Sequence, residues 1–127
     1  MENPSARTST FRPRAILKDY LHELDKHMVD LRDGKLDRTF EIRDFAEILH
    51  IHPRHLSNTI QDVLGASPCS LYENRLVDVA KQLLSETDEP IADIARRLTY
   101  DPSNFTKFFK RFAGVTPKEY RARLHKF

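Results

Sequence analysis

An all-α fold of seven helices is predicted for this 127-residue chain from three observations. Glycine is scarce, at three residues, and no stretch sustains the period-two alternation of a half-buried strand. Apolar residues return instead at three- and four-residue steps. The third observation is a gapless internal repeat. Displaced by 49 positions, Ile42 falls on Ile91, Asp44 on Asp93, Ala46 on Ala95 and Leu49 on Leu98. The register continues through Pro53 and Pro102, Leu56 and Phe105, Ser57 and Thr106, Ile60 and Phe109, Gly65 and Gly114, Ser67 and Thr116, and Pro68 and Pro117. Apolar, turn and capping positions held in phase over so long a period indicate two copies of one supersecondary unit.

The elements follow in order. Residues 1–12 are polar and read as a disordered tail, leaving 13–127 as one domain. From Pro13, an N-terminal helix over 13–34 carries Ile16, Leu17, Tyr20, Leu21, Leu24, Met28 and Leu31 on one face, and Asp33-Gly34 stops it. After a short connector, residues 40–67 form the first helix-turn-helix. Ile42, Phe45, Ala46 and Leu49 mark the inner face of its first helix, and His50-Ile51-His52 forms the turn. Pro53 opens a second helix whose inner face is Leu56, Ile60 and Val63 or Leu64, closed by Gly65. Ser67-Pro68 starts a bridging helix assigned to 68–88, with the helix itself ending near Glu86 and Leu71, Leu76, Ala80, Leu83 and Leu84 inside. Residues 89–127 repeat the unit and add a C-terminal helix. Ile91, Ile94, Ala95 and Leu98 line its first helix, Thr99-Tyr100 turns, and Asp101 caps a helix with Phe105, Phe108, Phe109 and Phe112 inside. Gly114 ends that helix, and Thr116-Pro117 begins the last one, which contains Tyr120 and Leu124. At 1.5 Å per residue the bridge is roughly 28 Å long, near the roughly 34 Å between successive major-groove faces of a duplex.

Composition excludes several classes of function. No apolar run of about 18 residues exists, and the polar start is unlike a secretory signal. The single Cys69 cannot form an internal disulfide, and a cytoplasmic protein is expected. It lies just inside a helix start, where a thiol can become reactive, but a small inert residue is the simpler reading. No Gly-rich phosphate loop and no triad-like arrangement of Ser, His and Asp can be found, so no enzyme and no cofactor are expected. His50, His52 and His55 are close in sequence, but they straddle a turn and lack a second ligand pair, so no metal site is assigned.

The net charge of +2 is unevenly placed. Residues 91–127 hold nine Lys/Arg against three Asp/Glu, a net +6, leaving −4 for residues 1–90. A basic C-terminal third is the footprint of a surface that meets a polyanion. An alternative reading takes the amphipathic helix over 14–32 as a protein-interaction element without DNA specificity, able to pair two chains.

The stretch Ile91-Ala-Asp-Ile-Ala-Arg-Arg-Leu98, followed by Asp101 through Arg121, closely resembles the signature of AraC/XylS-type transcription regulators. Arg75-Leu76, Ala80 and Leu83-Leu84 are similar to that family's bridging helix, and Phe45-Ala46 through Pro68 to its first helix-turn-helix. The resemblance implies an all-α DNA-binding domain with two helix-turn-helix units that activates or represses transcription. Its partners would be double-stranded DNA and RNA polymerase. The chain departs from the family at Thr99-Tyr100, where Gly-Phe is usual. Thr there costs about 1 kcal/mol or more if the backbone requires a positive φ. Members often carry a separate effector-binding domain, and the 40 or so residues ahead of the first unit are too few for one.

Base-contacting residues are expected on the outward faces of the two second helices. In the first unit these are Arg54, Ser57 and Asn58, the positions the resemblance also implies, with His55 beside them. In the second they are Ser103, Asn104, Thr106 and Lys107. Arg can pair with guanine and Asn with adenine in a bidentate manner. Arg96, Arg97, Lys110 and Arg111 are better placed for phosphates, which orient a protein and make its binding salt-dependent without specifying sequence. Between residues 44 and 68 the only Lys or Arg is Arg54. The second unit is therefore expected to supply most of the sequence-independent affinity. The chain is expected to bind as a monomer to an asymmetric site of about 20 bp, with two conserved blocks one helical turn apart.

Overall fold

The computed structural model describes the backbone of residues 4–124 and the side chains of residues 12–124. Among these residues it contains seven helices and no strand: α1 (Pro4–Arg32), α2 (Ile42–Leu49), α3 (Pro53–Leu64), α4 (Pro68–Glu86), α5 (Ile91–Arg97), α6 (Pro102–Ala113) and α7 (Pro117–Leu124). The helix expected to begin at Pro13 begins at Pro4 and runs through that proline. A proline ring already holds φ near the helical value, so Pro13 removes one ladder hydrogen bond without ending the helix. The tail expected over 1–12 is therefore helical from Pro4, and residues 1–3 lie outside the described residues.

The chain divides into two compact units. The first comprises the residues up to His27 with 40–72, and the second comprises 28–39 with 73–127. Both α1 and α4 are shared between them. In the first unit Tyr20, Leu24, Phe45, Ala46, Leu56 and Ile60 are buried. Tyr20 meets Phe45 edge-on at 5.3 Å, and His27 stacks on Phe40 at 4.3 Å. The Phe40 N–H points to His27 Nε2 at 3.4 Å, and the Tyr72 hydroxyl lies 2.7 Å from the same nitrogen. Buried polar groups need such partners. In the second unit the core is Leu76, Val77, Ala80, Leu83, Leu84, Ile94, Ala95, Leu98, Phe105, Phe108 and Phe109.

Two assignments at the end of α3 change. Val63 and Leu64, one or the other of which was expected inside, are both exposed, and Thr59 is buried beside Leu56 and Ile60. The small unit covers only two turns of α3, so its last turn extends past the edge of the core. Leu71 and Phe112 are half-buried rather than fully inside. The apolar stripe of α1 (Ile16, Leu17, Tyr20, Leu24, Met28 and Leu31) is buried within the chain.

The repeat appears again in backbone detail. His50 and Thr99, 49 residues apart, both adopt left-handed conformations, with φ of 58° and 66°. Each closes a helix with the same pair of bonds. Ile51 N–H donates to Ala46 O and His50 N–H to Glu47 O, while Tyr100 N–H donates to Ala95 O and Thr99 N–H to Arg96 O. This is the Schellman arrangement, which satisfies carbonyls left over at a helix end. Gly65 and Gly114, also in register, end α3 and α6 at φ of 69° and 81°.

A β-branched side chain is poorly suited to the left-handed region. Thr99→Gly is therefore expected to stabilise the protein by about 0.5–1 kcal/mol, the relief of strain exceeding the extra chain entropy of glycine. Urea denaturation of the two proteins checks this, with a higher midpoint expected at an unchanged slope.

Candidate nucleic-acid interface

Each unit holds its second helix by a cap placed two residues after the left-handed residue. In the second unit Asp101 Oδ2 accepts from the backbone N–H of Ser103 at 3.1 Å and of Asn104 at 3.4 Å. In the first unit the in-register residue is His52, whose Nδ1 accepts from Arg54 N–H at 3.1 Å. His52 is expected from its neighbours only to turn the chain. Its position, 49 residues before Asp101, was the signal that it caps. Proline follows at the first helical position in both units. Cap and proline together leave the first two turns of α3 and α6 projecting with defined side-chain directions.

The outward faces are the expected ones. On α3, Arg54 and Asn58 are exposed, with His55 and Gln61 beside them, and Ser57 is half-buried. On α6, Ser103, Asn104, Lys107, Lys110 and Arg111 are exposed and Thr106 is half-buried. Side chains at three- and four-residue steps share a helix face. Arg54, Asn58 and Gln61 thus form one stripe, and Ser103, Lys107 and Lys110 form its counterpart. Among the described residues the side chains of Arg54, Asn58, Asn104 and Lys107 have no intramolecular partner. The Ser103 hydroxyl donates to Asp101, and the Thr106 hydroxyl donates to Pro102 O at 3.1 Å. Both retain acceptor capacity, and Thr106 retains its methyl group. The two stripes diverge toward their distal ends. Gln61 and Asp62 occupy in α3 the positions that Lys110 and Arg111 occupy in α6.

No three His, Cys, Asp or Glu side chains come together in a metal-binding group among the described residues. None of the described helices is long and apolar enough to cross a membrane.

A helix-turn-helix domain profile matches residues 45–123. The arabinose operon regulatory protein of Salmonella typhimurium is 32% identical over 117 residues, covering 87% of this chain and 42% of that protein. The chain belongs to the AraC/XylS family of DNA-binding transcription regulators. Solved structures agree. The C-terminal domain of AraT, a response regulator from Geobacillus stearothermophilus, aligns with a TM-score of 0.63 at 30% identity, covering 79% of this chain and 84% of that one. The DNA-binding domain of AdpA, determined in complex with a target DNA, aligns with a TM-score of 0.67 at 24% identity, covering 83% and 92%, and shows the shared fold. The family is one of regulators rather than enzymes. This AraC/XylS domain spans less than half the length of the arabinose regulator it matches.

Within this AraC/XylS domain the basic C-terminal third divides into two groups. Arg97, expected on phosphates, is half-buried and committed inside the second unit. Its guanidinium donates to Glu89 Oε1 at 2.6 Å and to Arg32 O, in the last turn of α1, at 2.9 Å. Arg121, missed as a structural residue, donates to Leu84 O at 3.1 Å, Glu89 O at 2.7 Å and Thr87 O at 3.1 Å. It thereby gathers the end of α4 and the linker leading into α5. Arg96 stays at the surface, 3.1 Å from Asp93. Lys110 is exposed, and Arg111 pairs with Glu73 at 2.9 Å.

Two carboxylates are held below their ordinary ionisation range. Asp101 is held there first by the Ser103 hydroxyl and then by the Asn104 N–H. Glu119 is held there by the Thr116 N–H and then its hydroxyl, and Glu119 N–H donates back to Thr116 Oγ1 at 3.1 Å in a reciprocal capping box. A carboxyl that ionises more readily folded than unfolded stabilises the fold at neutral pH. That contribution is lost as the pH falls through its folded value, beneath the ordinary carboxylate range. Asp101→Ala is accordingly expected to melt below the parent at pH 7, with the gap closing on acidification. A gap independent of pH would show that the carboxylate charge plays no part in the cap. Arg121→Ala is expected to lose about 2 kcal/mol of stability, as three charge-assisted hydrogen bonds go. The salt dependence of its DNA binding should stay unchanged, because a clamp to carbonyls displaces no counterions.

Proposed function

We propose that the domain is a sequence-specific regulator that places α3 and α6 in adjacent major-groove segments of one asymmetric promoter site. The observation carrying this reading is that both units present, after the same turn and cap, an exposed polar stripe at the start of the second helix. That end of a helix-turn-helix is the one that enters the groove. Arg54 is suited to guanine, Asn58 and Asn104 to adenine, and Lys107 to guanine, while Ser57, Ser103 and Thr106 add shorter contacts. Lys110, Arg111 and Arg96 face the phosphates. The commitment of Arg97 to Glu89 and Arg32 supports a positioning role for it instead.

The unlike stripes support asymmetry. Two identical heads would favour a repeated site, whereas Arg54, Asn58 and Gln61 offer a different set of donors and acceptors from Ser103, Lys107 and Lys110. One chain then suffices for two contacts, which favours binding as a monomer. The apolar stripe of α1 formed by Ile16, Leu17, Tyr20, Leu24, Met28 and Leu31 is buried within the chain, which favours the same reading. The domain would act in the cytoplasm, where its promoter and RNA polymerase are found.

Binding titrations across a salt series test the division of labour. Lys110→Ala combined with Arg111→Ala is expected to flatten the slope of log K against log salt by nearly two, at about 0.9 per phosphate contact. Arg54→Ala should alter the slope less while losing about 1–3 kcal/mol of preference at one base pair. A slope loss from Arg54→Ala as large as that of the double variant would contradict the reading.

A further inference from the structure

Arg111 and Asn104 are seven residues apart, two helical turns, so they lie on one stripe of α6, with Lys107 between them. Arg111 stands about 10 Å beyond Asn104 along the axis, where a groove-reading helix passes the phosphate backbone. Its guanidinium is not idle there. It donates to Glu73 Oε2 at 2.9 Å, and this accepting side chain on α4 is 24% exposed while that of Arg111 is 65% exposed. Arg111 also lies over the Phe112 ring, 4.7 Å from its centroid, which steadies the base of the side chain. Asp62, the first unit's residue in register with Arg111, is itself acidic, so this arrangement belongs to the second unit alone.

We infer that Glu73 is a positioning residue that holds Arg111 in reserve and yields it to a DNA phosphate on binding. This rests on the proposed placement of Arg111 at the phosphates. Before DNA arrives, Glu73 keeps the guanidinium extended along the stripe instead of folding back, and offsets its charge. An exposed pair of this kind is weak enough for a phosphate to replace it. The effect falls on the sequence-independent part of affinity and leaves base discrimination to Asn104 and Lys107.

Glu73→Gln, Arg111→Ala and the double variant, each titrated with a promoter duplex and with a random duplex across a salt series, decide the matter. Glu73→Gln is expected to bind both duplexes three- to tenfold more tightly at low salt, with a slope steeper by up to one and an unchanged ratio between the two. In the Arg111→Ala background the same change should have little effect. If Arg111→Ala leaves the slope unaltered, its phosphate contact is wrong and the exchange falls with it. If Arg111→Ala flattens the slope but Glu73→Gln does not tighten binding, the contact stands and the exchange is overturned. An equal gain from Glu73→Gln in both backgrounds would also overturn it, since repulsion at a distance would then account for everything.

Discussion

Both units depend on one backbone constraint: a single left-handed residue that stops the first helix and turns the chain within three residues into the second. His50 and Thr99 adopt that conformation even though neither is glycine. The cost is tolerated because the turn satisfies two helix-end carbonyls in each unit and delivers His52 or Asp101 to the capping position. A helix entered this way has its starting turn fixed by backbone bonds, not by side-chain packing alone. Its outward residues are therefore pre-oriented, which reduces the entropy lost when they engage a partner.

Duplication of the backbone device did not preserve the charges. The two second helices share their buried positions and diverge on the surface. The α6 end carries Lys107, Lys110 and Arg111, where α3 has Asn58, Gln61 and Asp62. Electrostatic attraction to a polyanion is long-ranged and indifferent to sequence, whereas bidentate hydrogen bonds are short-ranged and selective. In the proposed function, one unit serves the first and both serve the second, so that the domain can be held near a duplex while it samples registers. The clamps formed by Arg97 and Arg121 show that not every cation in the basic third serves this attraction. Those two anchor the linker between α4 and α5 and so the start of α5.

The features legible in the sequence were those with a local signature. Pro53 and Pro102, Gly65 and Gly114, and Ser67 and Thr116 mark helix starts and stops wherever they occur, and their 49-residue spacing placed six of the seven helices. The outward faces of α3 and α6 followed from the buried Leu56, Ile60, Phe105 and Phe109. What was illegible was non-local or chemically atypical. His52 is an unusual cap, visible only through its alignment with Asp101. The partners of Arg97, Arg111 and Arg121 lie up to 65 residues away, beyond the reach of any periodic pattern. Pro13 carried a helix-start signal that the backbone did not need to obey, and the exposed ends of α3 reflect how small the first unit's core is.

Both pre-oriented helices must meet DNA together if one chain is to read two segments of it. A hydroxyl-radical footprint of the domain on a duplex selected for tight binding measures this directly. Two protected blocks on one face of the duplex, about 10 bp apart centre to centre, are predicted. A single protected block, unchanged when Arg54 and Asn58 are both replaced by alanine, would show that the first unit does not read DNA and would contradict the account.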